Sequence, residues 1–528
     1  MKTALVIGAG PAGLAAAHAL RRDAPDWRVV VLEATPHVGG ISRTARFGDF
    51  RMDLGGHRFF SKSKAVNDIW AGLLPIQGAP SRDDILLSRP CHVAPGGPDP
   101  EQTDLVMLRR PRVSRIYWRR HFLDYPVSLS PATFAAMGLP MTLSAGASFL
   151  RASLAPRPER SLEDFYVNRF GRVLYSAFFE GYTEKLWGVH PSRIAPDWGA
   201  QRVKGLSLWK ALANVFTPSS KRRETSLITE FLYPKYGPGQ LWETLADRLT
   251  ADGVDLRLSA PVASLETAGP RIAAARIADG TRIPCDALFS SMPVKDLVAA
   301  IGSAPPDVAR VAAVLPYRDF VAAGLLVSRL AIPNRSRLPA LPGLVPDTWM
   351  YVQDSSVRLG RVQLFNNWSP YLLPDPDRQV WLGLEYFCAE GDDLWSLPDS
   401  DFTALAASEL RKIGLLAPDA PVLRAHRVRV PKAYPAYCRL LFLLSPCPRL
   451  ARHLLQPLLH RPQRPAPLQQ HGPLHAHRPR SRPRPPRPLP PLLPLVRQRR
   501  IRLPRILTFP PSPEFCLMAP CHPFRHLY

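Results

Sequence analysis

The amino-terminal stretch restricts the fold more than any other part of the chain. Residues 2–7 form a short apolar run suited to a buried parallel strand, and Gly8, Gly10 and Gly13 follow at GxGxxG spacing. Pro11 and Ala12 open an alanine-rich helical segment, and a second β-rich run, residues 27–32, ends on Glu33, twenty residues after Gly13. That order of strand, tight turn, helix, strand and acid predicts a dinucleotide fold. Gly8 allows the turn, Gly10 lets backbone approach a pyrophosphate, and Gly13 lets helix and strand pack closely. The helix amino terminus faces the phosphates. Glu33 can accept hydrogen bonds from a ribose. The same glycine spacing argues against reading MKTALVIGAGPAGLAAAHAL as a signal peptide.

A second glycine-bearing turn, with Gly39, Gly40, Ser42 and Arg43, comes soon after the acid. Asp53, Leu54, Gly55, Gly56, His57, Arg58 and Phe59 follow it. Together with the first strand and Glu33, these segments resemble the FAD-dependent amine oxidase superfamily, which includes protoporphyrinogen oxidase-like enzymes and UDP-galactopyranose mutase. The resemblance implies FAD, bound noncovalently, with the second glycine segment lying along the pyrophosphate and the flavin. Gly55 and Gly56 then allow close backbone approach to the ring. His57 either sits near that ring or is a core or loop histidine with no chemical role.

In the middle of the chain, Leu162, Phe165, Tyr166, Phe170 and Leu174 fall on a helical repeat that predicts core. The run YTEKLWG, Tyr182 to Gly188, resembles the corresponding stretch of UDP-galactopyranose mutases, as does DYPV at residues 124–127. The mutase-like branch is therefore the expected nearest kin. Lys185 and Trp187 either face the active site or make a structural ion pair and core packing. Residues 233–249 read as a turn and an amphipathic helix, with Gly237 and Gly239 letting backbone pass close to the cofactor. Residues 255–265 and 273–278 are strand-like, and residues 286–293 return to the nucleotide fold. The resemblance implies that the strand containing Val262 contacts the adenine end of FAD. Residues 320–327, 349–353, 362–366 and 380–386 read as strands of a substrate domain, and residues 401–413 as a helix.

The expected fold class is α/β: a Rossmann-like FAD-binding domain with an inserted mixed α+β substrate domain and a disordered Pro/Arg-rich tail. The expected boundaries are 1–75 and 231–300 for the FAD-binding parts and 76–230 for a mostly helical cap. The substrate sheet and return take 301–437, and the tail takes 438–528. The longest charge-free run, residues 125–150, contains Pro126, Pro131 and Pro140. It predicts a buried or surface-docking helix and no integral membrane span, with peripheral membrane contact left open.

Charge separates the tail from the rest. The formal net charge is +25, but residues 438–528 hold 16 Arg, no Lys and one acid, Glu514, and alone carry +15. They also hold 21 of the 60 Pro. The remaining chain is only modestly positive and has no interleaved stacking motif, so no nucleic-acid partner is expected. None of the seven Cys has CxxC spacing, which fits reduced thiols in a cytoplasmic protein without a metal site.

The superfamily pattern calls for one more glycine-containing strand–helix turn after Tyr437, and the tail does not contain it. Residues 461–477 read RPQRPAPLQQHGPLHAH. One allowed set of codons for that text, read one base later, encodes GRNGLHRYNNMDHSML, sixteen consecutive residues that resemble the superfamily's carboxy-terminal flavin motif. A frameshift near Tyr437 is expected to have replaced the original terminus and impaired the enzyme. The alternative is a genuine basic tail.

The expected function is that of an FAD-dependent oxidoreductase taking hydride from an unknown small organic substrate. One alternative is a UDP-galactopyranose mutase-like isomerase that uses reduced flavin. Another is a non-enzymatic remnant with a polyanion-binding tail. No catalytic acid or base is evident in the sequence.

Overall fold

The computed structural model describes residues 1–125, 127, 131–196, 229–269 and 271–435. The tail at 438–528 and residues 197–208 of the aromatic segment lie outside the described residues. The architecture is α/β. Thr3–Ile7 lies in a four-stranded sheet between Arg28–Leu32 and Ala287–Ser290, with Asp255–Arg257 beyond Arg28–Leu32. All three pairings are parallel, and the register places Val6 beside both Val31 and Phe289. A parallel sheet covered on both faces needs strands that are apolar throughout, and TALVI and RVVVL meet that need.

The helix Pro11–Asp23 starts on a proline at its first turn and ends on Arg21 and Arg22, which suits both poles of its dipole. It buries Gly13, Leu14 and Ala17 against the sheet. The turn-and-helix expectation near Gly237 corresponds to Pro238–Ala251, and residues 255–265 divide into two strands, Asp255–Arg257 and Val262–Ala268. The division follows from Ser259, whose φ of 52° turns the chain out of the extended region.

The second large sheet has seven strands. In spatial order they are Arg424–Pro435, Tyr317–Val327, Val380–Cys388, Arg361–Leu364, Trp349–Val352, Ser114–Trp118 and His121–Asp124. Both faces are covered, so alternate residues of one strand enter different cores. Phe320, Ala322 and Leu326 join an aromatic cluster with Phe165, Tyr166 and Trp381. Val321, Ala323, Leu325 and Val327 join an aliphatic cluster with Phe402, Ala406 and Leu410 of the helix Asp399–Lys412.

Two glycines shape the helical region. Gly138 (φ 72°) interrupts Pro131–Leu154, and Gly171 (φ 77°) interrupts Leu162–Tyr175. A Cβ on Gly171 would stand 2.6 Å from the Phe149 backbone nitrogen, so glycine is what lets the two helices touch there. A π-helical turn, Ser176–Glu180, then leads into the short helix Gly181–Trp187 that carries YTEKLW.

Candidate active site

The two glycine turns face one another. Gly8 has φ 96°, and its N–H bonds the Leu32 carbonyl at 2.7 Å, which folds the turn back onto the second strand. A Cβ on Gly13 would lie 1.8 Å from the Gly8 carbonyl oxygen, so the helix can lie this close only without a side chain there. Gly39 N–H bonds the Ala9 carbonyl at 2.9 Å, and a Cβ on Gly10 would reach the Gly40 Cα at 3.7 Å. Gly10 caps the helix that begins at Pro11 and Ala12 without a side-chain hydrogen bond, and the first turn carries no acid. The positive end of that helix is thus aimed at a backbone-lined cradle.

Glu33 closes the cradle. Its Oε2 accepts from Ala9 N at 2.8 Å, and its Oε1 accepts from the Thr35 N and Oγ1 at 2.9 Å. Arg43 is half-buried, and burial lowers its pKa while Glu33 pulls it back up. Ala260 N–H bonds the Glu33 carbonyl at 2.8 Å, which brings Val262 and its strand beside the acid.

Ser42, Gly55, Gly56 and His57 continue inward, all buried. His57 Nδ1 donates to the Gly55 carbonyl at 2.8 Å, which leaves Nε2 as a lone-pair acceptor. Burial drives the imidazole pKa down to about 3, so the ring is neutral at working pH. Both His57 Nε2 and Ser42 Oγ are buried without a hydrogen-bond partner among the described residues. FAD fits these features: a bare-backbone cradle at a helix amino terminus, an acid at its far end, and two unsatisfied polar atoms further along.

Gly56 answers to a different neighbour from the one the sequence suggests. A Cβ there would lie 1.5 Å from Cζ3 of Trp349, so the indole of the substrate sheet fills the space beside it. Gly55 has φ 110°, a backbone angle that favours glycine.

Trp349 is the hub of a buried cluster of aromatic and charged side chains, the Trp349 chamber, which packs against the Gly56 turn. The guanidiniums of Arg58 and Arg361 lie over its ring, at 5.7 and 5.3 Å from the centroid. Tyr351 stands 6.1 Å away and stacks on Tyr125 at 4.4 Å. Arg361 donates to Glu385 and to the Tyr182 hydroxyl, both at 2.9 Å. Burial pushes the Glu385 carboxyl above its ordinary range, while Arg361, Gln363 and the Gly56 N–H favour its ionised form. Arg58 donates to Ser114 Oγ at 2.8 Å and Thr348 Oγ1 at 3.0 Å. Burial lowers its pKa to about 10, and among the described residues its guanidinium makes these hydroxyl contacts and no salt bridge.

A second buried cluster ties the turns together. Asp53 accepts from the Tyr233 hydroxyl and, at 2.9 Å, from Thr44 Oγ1, which itself accepts from Gly239 N at 3.0 Å. Desolvation raises the Asp53 pKa to about 7 against those two hydrogen bonds. Lys185 turns away from the chamber. Its Nζ donates to the carbonyls of Val352, Asp354 and Leu359 at 3.3, 3.0 and 2.9 Å, so it pins the loop after Trp349–Val352. Trp187 is buried in the aromatic core. From YTEKLWG, the chamber receives Tyr182.

A family model described as flavin containing amine oxidoreductase matches residues 11–474. Among solved structures, reduced UDP-galactopyranose mutase is similar at a TM-score of 0.65 and 19% identity, covering 86% of this chain and 88% of that one. A protein of Exiguobacterium sp. 255-15 described as a protoporphyrinogen oxidase gives a TM-score of 0.59 at 16% identity, covering 86% and 92%. A variant of putrescine oxidase gives 0.51 at 13% identity, covering 86% and 90%. These structures share the two-sheet fold, and the family model spans the helix after the first glycine turn, the second glycine turn and the whole substrate sheet. The chain belongs to the flavin containing amine oxidoreductase family.

Proposed function

We propose that this chain is an FAD-dependent oxidoreductase that takes hydride from an organic substrate carrying an anionic group. FAD, when bound, supplies the electron acceptor. The chain supplies position and charge. Gly8, Gly10, Pro11, Ala12, Gly13, Gly40, Ser42 and Arg43 would hold the pyrophosphate side, Glu33 a ribose, and Val262 the adenine end. Gly55 and His57 would lie along the ring, with Gly56 between them turned to Trp349, and neutral His57 Nε2 can accept a hydrogen bond and cannot donate one.

The observation that carries the substrate class is Arg58. It is a buried guanidinium held over the rings of Phe231, Trp349 and Trp368 with hydroxyl partners and, among the described residues, no salt bridge, a setting that attracts a carboxylate or phosphate and repels a cationic amine. The test uses the protein with its frame restored, titrated without oxygen against matched substrates that do or do not carry an anionic group. The anionic member should bleach the flavin about tenfold or more efficiently, and Arg58→Met should erase that preference. Reduction by a cationic amine, indifferent to Arg58→Met, refutes the reading.

A second reading, sugar-nucleotide isomerisation, is favoured by the Arg361–Tyr182 hydrogen bond, because it brings the YTEKLWG helix to the same chamber. We also propose that the frame is lost near Tyr437. Supporting this, the strand Arg424–Pro435 still pairs with Tyr317–Val327 down to Tyr317 opposite Pro435, and the aberrant composition begins just after it. Sequencing cloned DNA across codons 430 to 480 decides it, and an uninterrupted, independently confirmed frame ends the idea.

A further inference from the structure

The helix Pro131–Leu154 is long and apolar enough by composition to cross a membrane, with a mean hydropathy of 1.3. Its geometry gives a different relation to lipid. Gly138 breaks it, leaving residues 139–154 as one uninterrupted stretch of roughly 24 Å, short of the ~30 Å hydrocarbon core. One side of that stretch buries Ala145, Phe149 and Ala152. The opposite side leaves Leu139, Leu143, Leu150 and Leu154 at 72%, 65%, 53% and 85% exposure. At helical spacing these four leucines form a continuous apolar stripe facing out.

The rim of this stripe is basic. Arg119 and Arg120 occupy the tip of the hairpin between Ser114–Trp118 and His121–Asp124, and Arg151, Arg157 and Arg160 lie at the far end of the helix. All five are exposed, and none forms an ion pair among the described residues. Nearby acids are already engaged: Glu159 with Arg169, and Glu163 with Arg172. The helix also walls a cavity of about 490 Å³ through Met141, together with Arg119, Tyr182, Lys185 and Gln353. Tyr182 is shared between this cavity and the Trp349 chamber.

We propose that residues 139–154 lie flat in the surface of an anionic lipid bilayer, with the four leucines among the acyl chains and the five arginines at the headgroup phosphates. An apolar stripe with a cationic rim is the pattern of an interfacial helix. A water-facing protein partner would not require both. The proposal is independent of the chemistry proposed for the chamber.

The test is co-sedimentation of the full chain with phosphatidylcholine vesicles, with and without phosphatidylglycerol, at about 0.15 M salt, comparing the unmodified chain with leucine variants that carry the same tail, so that adhesion by the tail arginines is common to both. The unmodified chain should sediment with the phosphatidylglycerol vesicles. Leu143→Asp with Leu150→Asp should lower that partition about tenfold or more. The milder pair Leu139→Ser with Leu154→Ser should lower it several-fold. It carries the comparison alone if the aspartate pair melts early by circular dichroism. Equal sedimentation of the unmodified chain and a folded variant overturns the proposal, as does an unmodified chain left in solution. So does a dimer that the substitutions convert to monomer, which would make a second copy the occupant.

Discussion

Gly56 and Trp349 interlock: a Cβ on the glycine would stand 1.5 Å from Cζ3 of the indole. Gly56→Ala should therefore push Trp349 out of its contacts with Arg58 and Arg361 and cost about 1–3 kcal/mol or more by overpacking. Trp349→Leu should recover part of that loss when combined with it. Denaturant unfolding of the two single variants and the double variant measures the coupling. Strict additivity would mean the two residues do not compete for space.

Gly10 has room on the protein side, since its Cβ would make only an ordinary 3.7 Å contact with Gly40. Gly10→Val in the frame-restored protein should thus fold with little loss of stability. Its branched side chain should instead fill the cradle and reduce bound FAD about tenfold or more. Flavin absorbance per mole of purified protein is the measurement. Stoichiometric FAD in this variant would place the pyrophosphate elsewhere.

Asp53 gives a signature in pH. Its pKa is raised to about 7 in the folded state, mainly by burial, and an unfolded aspartate titrates near 3.9. Between these values the folded chain holds a proton that the unfolded chain has released. The contribution is full below about pH 4 and is lost as the pH rises toward about 7. Asp53→Asn should flatten the thermal midpoint across that window relative to the unmodified protein. Parallel curves would show that Asp53 does not titrate there.

Redox and isomerase chemistry separate in one assay. Under the proposed oxidoreductase function, reduced frame-restored enzyme should leave UDP-galactose unchanged, and an oxidisable substrate should bleach the oxidised flavin. Isomerisation of UDP-galactose by the reduced enzyme alone, with no acceptor consumed, would establish the second reading instead.

The nucleotide turn was legible because its demands are local. Gly8, Gly10 and Gly13 answer to backbone angles and close approach within one strand–turn–helix, and Glu33 to a fixed distance along the chain. The strands at 320–327 and 380–386 were legible as apolar runs, because a sheet covered on both faces needs few polar residues. The chamber was not. Arg58, Tyr182, Trp349, Arg361 and Glu385 come from five separated segments, and only tertiary folding brings them together. The space beside Gly56 is taken by a residue nearly three hundred positions away, which no local pattern encodes. Lys185 lay in a recognisable motif, yet the carbonyls it binds belong to a distant loop, and the motif alone could not separate a structural from a catalytic lysine.

The strand Arg424–Pro435 ends with Pro435 opposite Tyr317, whose hydroxyl accepts from Val294 N at 3.1 Å. Three residues earlier, Ser291 presses its hydroxyl against the Gly8 turn. The last strand of the substrate sheet therefore ends at the back of the nucleotide cradle, with the strands described for both sheets already in place. Under the proposed loss of frame, these strands would still form, so solubility and a normal melting curve would be poor proxies for bound cofactor in this protein.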